Sequence, residues 1–134
     1  MLGSDDLVAL VPSTDLDRAA GFYRDVLGLR LVEINPYACV FDAGGTTLRV
    51  TKVDGFTPHP FTVLGWKVGD IAGTLAGLAE RGVQPHHYPG IPQDDRGIWT
   101  TPGGDQVAWF SDPDGNTLSV TQLAAPSHVP DPTP

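Results

Sequence analysis

Short apolar runs and one-sided amphipathic stretches come along this chain in a fixed order, and the order repeats once. LVALVP (residues 7–12) stops at Ser13, Thr14 and Asp15, types that end strands and cap helices, so it reads as a strand. DLDRAAGFYRDVLGL then sets Leu16, Ala19, Ala20, Tyr23, Val26 and Leu27 three and four residues apart. That spacing predicts an amphipathic helix, with Gly28 where a C-terminal cap is wanted. Three extended pieces follow, LRLVEI, YACVFDA and TTLRVTKV, divided by the turn signals Asn35-Pro36 and Gly44-Gly45. GFTPHP, with two prolines and a glycine, interrupts any regular element and marks a linker over residues 54–60.

After the linker the pattern starts again. Aligning Asp15 with Asp70 sets VALVPSTD over VLGWKVGD without a gap and brings Gly28 near Gly82. Further extended pieces are expected near VQPHHYP, IWTTP, QVAWFS and TLSVTQL, separated by Gly103-Gly104 and by Pro113-Asp114-Gly115-Asn116. The expected organisation is one domain over residues 1–123, with module one at 7–53 and module two at 61–123. The tail AAPSHVPDPTP, residues 124–134, offers almost nothing to bury and is expected to be disordered.

Composition narrows the function classes. With 40% hydrophobic and 18% charged residues in 134, the chain can build a core. A formal charge of −8 repels polyphosphate and anionic lipid, which argues against nucleic acid or a membrane surface as partner. Cys39 is the only cysteine, so no internal disulfide and no CxxC motif exists. No run of about eighteen apolar residues occurs, and the start MLGSDDLVAL is not that of a secretory leader, so a cytoplasmic location is expected. There is no GxSxG and no GxxxxGK[ST], and the glycines of DAGGTT lie between strands rather than before a helix.

The doubled strand–helix–three-strand unit, with DLDRAAGFYRDVLGL in one half and DPDGNTLSV in the other, resembles the vicinal-oxygen-chelate superfamily of glyoxalases, bleomycin-resistance proteins and dioxygenases. The resemblance spans nearly all of residues 7–123. It implies an α+β fold of two βαβββ modules, a curved mixed sheet around a cup, and a homodimer. It also implies metal-ligand positions in the first and last strand of each module. These fall on Val8, Val63, near Thr51, and on Ser119. Valine offers no lone pair and a hydroxyl is a poor ligand for a divalent ion. A one-residue shift substitutes Leu7, Thr62, Lys52 or Leu118 and restores nothing, so neither a metal nor any other cofactor is expected.

Alternation sorts the side chains facing that cup from those packed under the helices. Leu48, Val50, Leu64, Trp66 and Val68 belong to the packed face. Thr47, Arg49, Thr51, Val63, Gly65, Lys67, Ser119 and Thr121 face the cup. Arg49 and Lys67 either hold an acidic or phenolate group of a ligand, or pair with internal carboxylates or reach solvent. Trp99 and Trp109 are candidates for stacking on a flat ligand, but the strand phase around them stays open. His86 and His87, being adjacent, point to opposite faces and cannot readily share a metal. His87, Tyr88 and Lys67 are the candidates for general acid–base work.

The expected function is therefore a metal-free protein binding a small organic molecule, aromatic or acidic, as a sequestering or resistance protein does. Two alternatives remain: a metal-independent enzyme using those acid–base candidates, and a metal-dependent lyase, isomerase or dioxygenase with ligands of another pattern.

Overall fold

The computed structural model describes residues 1–124. Strand β1 (Val8–Ser13) leads into helix α1 (Leu16–Gly21), which widens into a π-helical turn over Phe22–Val26 before β2 (Arg30–Ile34), β3 (Ala38–Ala43) and β4 (Thr46–Lys52). The second round is β5 (Thr62–Lys67), α2 (Ile71–Glu80), β6 (Trp99–Thr100), β7 (Gln106–Ser111) and β8 (Thr117–Gln122). Both helices start on the aspartates that the repeat aligns. The Asp15 carboxylate accepts from Arg18 N–H, and that of Asp70 accepts from Gly73 N–H, each at 3.1 Å. Gly28 and Gly82, after the helices, have φ of 77° and 83°, which a side-chain-bearing residue adopts only at a cost.

Each module makes a four-stranded mixed sheet with the same topology, β1-β4-β3-β2 and β5-β8-β7-β6, parallel only where the first strand meets the last. The parallel pair arises because a helix and two antiparallel strands separate its members in the chain. The fold is thus α+β, two βαβββ units.

One core serves both modules, and its symmetry is visible in single residues. Phe41 stands opposite Leu48 in the first sheet, and Phe110 opposite Leu118 in the second, all fully buried. Leu16, Ala19, Ala20 and Tyr23 cover the first sheet, and Ile71, Leu75 and Leu78 the second. A polar latch joins the halves. Tyr23 Oη donates to Asp112 Oδ2 at 2.8 Å, and Asn116 Nδ2 donates both to that carboxylate and to Pro12 O. Ser13, Thr14 and Arg18 all donate to Asp114, bringing the β7–β8 turn onto the start of α1. Burial, and then the Asp112 carboxylate beside it, push the Tyr23 hydroxyl far above the usual phenol range, so it is a permanent donor.

The structure corrects one expected element. VQPHHYP forms no strand; residues 81–98 cross from α2 to β6 as a loop, because Pro85 and Pro89 lack the N–H that a ladder needs. Most of the expected disordered tail, residues 125–134, lies outside the described residues.

Candidate functional site

Register fixes which side chains stand on the sheet face away from the helices. In module two, Leu118, Val120, Ala108 and Phe110 are buried on the helix side. Their neighbours therefore project the other way: Trp109 opposite Ser119, Ser119 opposite Gly65, Val107 opposite both Thr121 and Trp99. In module one the same reasoning puts Val8, Leu10, Thr47, Arg49, Thr51 and Val40 on the open face.

The open face of module two carries a continuous aromatic wall. Trp99 and Trp109 lie diagonally across β6 and β7, a placement within reach for large rings. Their rings are 6.2 Å apart and tilted by only 20°. Tyr88 meets Trp109 edge-on at 5.5 Å, and the His86 ring follows at 5.9 Å from Tyr88. All four side chains are half-buried, exposing ring surface while fixed by their neighbours. Ser119, only 8% exposed, forms the floor beside Trp109. A Cβ on Gly65 would come within 2.5 Å of Ser119 Oγ, so a glycine is needed there for the serine to hold its place.

The loop delivers Tyr88 and His86 through a clamp that sequence reasoning missed. Gln93 accepts from Tyr88 N–H at 2.7 Å and donates to the carbonyls of His86 and Gly97 at 2.8 Å. His86 N–H donates to Trp109 O at 2.8 Å, docking the loop on β7. Gly97 has φ of 85° and passes under Pro85, where a Cβ would approach the proline ring to 2.8 Å. Nothing in the sequence pattern flags Gln93; an amide flanked by proline and aspartates is an ordinary loop residue until its three partners are known. His86 Nε2 is 2.6 Å from Ser111 Oγ on the same face.

Other expected site residues stand outside the ring contacts of this wall. His87 lines a groove on the outer side of α2 with Leu75, Ala79 and Arg96, away from the wall; the imidazole beside Tyr88 is that of His86. Val63 is the extra residue of a β-bulge between Thr62 and Leu64 and is partly buried against the core. Arg49 and Thr51 belong to the module-one sheet. Lys67, at the exposed end of β5, also borders a cavity on the helix side. Neither Arg49 nor Lys67 forms an ion pair among the described residues, so no internal carboxylate there neutralises them. The helix-side cavity, about 420 Å³, lies between the Asp25–Leu29 turn and α2 and is lined in part by Trp66.

At the positions where the resemblance puts metal ligands stand Val8, Thr51, Val63 and Ser119, which do not fit a divalent ion. Among the described residues no three His, Cys, Asp or Glu side chains converge in a way that could hold one. The described helices include none long and apolar enough to cross a membrane.

Comparison with known proteins agrees with this architecture. A superfamily member from Sphaerobacter thermophilus superposes with a TM-score of 0.71 at 24% identity, covering 92% of this chain and all of that one. A bleomycin resistance determinant encoded on transposon Tn5 gives 0.70 at 22%, over 91% and 100%. A fosfomycin resistance protein from Listeria monocytogenes gives 0.71 at 12%, over 90% and 94%. At these identities the likeness concerns the fold. No curated protein matches the sequence. Residues 7–120 match the superfamily itself, so the chain belongs to the glyoxalase/bleomycin resistance protein/dioxygenase superfamily.

Proposed function

We propose that this chain is a metal-independent cytoplasmic member of the superfamily that binds a flat aromatic molecule on the open face of module two. The observation that carries the reading is the half-exposed ring surface of Trp99, Trp109 and Tyr88 in mutual contact. Stacking and desolvation on such a surface are the usual means of holding a planar ligand. The four metal-type positions supply no donor set, which favours binding over the metal-assisted chemistry of other members. Ser119 and Thr121 add hydroxyls to the same face.

The open face of module one has its own implication. Leu10 and Val8 are 64% and 50% exposed there, on a strand whose other face is in the core. An apolar stripe of this kind is ordinarily covered, and a second copy of the chain is the proposed cover, giving a homodimer. Saturable quenching of tryptophan emission by a planar arene, lost in Trp109→Ala, tests the binding reading. Consumption of the bound arene without added metal would instead establish a metal-independent enzyme. Native mass spectrometry reads the dimer directly.

A further inference from the structure

The aromatic wall ends in polar groups that the fold does not use. Resting on the reading of Trp99, Trp109 and Tyr88 as a binding surface, we propose that the ligand is a phenol, a hydroxyl-bearing arene whose oxygen is held by Nδ1 of His86. One ring nitrogen, Nε2, is already committed to Ser111 Oγ at 2.6 Å. Nδ1 has no hydrogen-bond partner among the described residues. No buried side-chain nitrogen or oxygen there is left without a partner, so Nδ1 of the half-buried ring is open to solvent. No carboxylate pairs with this imidazole among the described residues either. Its position is fixed from both sides, by the backbone bond to Trp109 and by the Gln93 clamp.

The choice of a phenol follows from the two tautomers of that pair. When Ser111 donates to Nε2, Nδ1 carries the proton and asks for an acceptor. When Nε2 carries the proton and donates to Ser111, Nδ1 asks for a donor. A carbonyl or ether answers only the first, and an ammonium group only the second. A phenolic hydroxyl answers both. The imidazole lies beyond Tyr88 from Trp109, so the phenol has to lie over Tyr88 as well as Trp109 for its edge to reach Nδ1.

Titration of the full chain with 4-nitrophenol and with 4-nitrotoluene, which has the same shape but a methyl in place of the hydroxyl, tests the assignment. The phenol is expected to bind about tenfold more tightly, the effect of one good hydrogen bond. In His86→Phe, which keeps a ring against Tyr88, that preference disappears. A second readout needs no variant: in nitrogen-labelled native chain the His86 Nδ1 resonance shifts on saturation with 4-nitrophenol and stays in place with 4-nitrotoluene. Equal affinities in the native chain, a preference that survives His86→Phe, or an unmoved Nδ1 resonance overturns the role of His86 and leaves the aromatic wall standing. A native chain that binds neither compound overturns both.

Discussion

The two modules share topology, helix caps and a buried phenylalanine–leucine pair, yet their open faces have different chemistry. Module one presents Val8, Leu10, Val40 and Arg49 on four strands of five to seven residues. Module two presents Trp99, Trp109, Tyr88 and Ser119, and it does so by shortening β6 to two residues and docking the loop of residues 81–98 on β7 through His86. The repeat therefore specifies the scaffold, and the proposed site lies where module two departs from it. The helix-side surfaces had to stay alike because each must fill one shared core. The open faces carried no such constraint and diverged, one toward aliphatic cover and the other toward ring stacking.

The comparison can be broken at its symmetric positions first. Phe41→Ala and Phe110→Ala are each expected to lower stability by about 3–5 kcal/mol, read as urea unfolding. Clearly unequal costs would show that the modules do not share one core equally. Tyr23→Phe, which removes the donor to Asp112 across the module boundary, is expected to cost about 1–3 kcal/mol and to leave the open face intact. Trp109→Ala should weaken binding of a planar arene by about tenfold or more, while Leu10→Ala on the other module leaves it unchanged.

A smaller effect follows from Asp114. Burial alone would raise its carboxyl, but hydrogen bonds from Ser13 and Thr14, with Arg18 nearby, outweigh that and hold it below the usual carboxylate range. A carboxyl depressed in the folded state adds stability above its unfolded pKa of about 4 and loses it as pH falls through the lower folded value. Asp114→Asn should thus be less stable than the native chain near pH 7, and the gap should narrow as pH falls through and below the usual carboxylate range. A gap independent of pH would remove the charge from the account of the latch. Smallest of all, Arg49→Ala should change stability by no more than about 0.5 kcal/mol, since no carboxylate among the described residues depends on it.

The sequence carried the scaffold well and the site only in part. Strand alternation placed Leu48 and Val50 in the core, with Arg49 and Thr51 opposite them, because seven residues of regular β4 leave no doubt about phase. Trp99 could not be phased in that way, since two residues of β6 hold no period. Its direction is set by the pairing with Val107 and by the bridge to Gln93. Val63 sits at a bulge, yet Leu64 opposite Leu118 and Gly65 opposite Ser119 keep the phase that alternation gives the rest of β5. For the adjacent histidines, alternation requires opposite faces without saying which faces the wall. The backbone bond from His86 to Trp109 decides it, and that is a long-range contact absent from any local pattern.

The central claim is that ligand sits on the open face of module two and not in the helix-side cavity, and the three tryptophans allow both places to be watched. A chain retaining only Trp109, by Trp66→Phe and Trp99→Phe, is compared with one retaining only Trp66, during titration with a planar arene. Saturable quenching confined to the Trp109 chain is the predicted result. Quenching of Trp66 with Trp109 unaffected would place the ligand between α2 and the turn after α1, and would contradict the account.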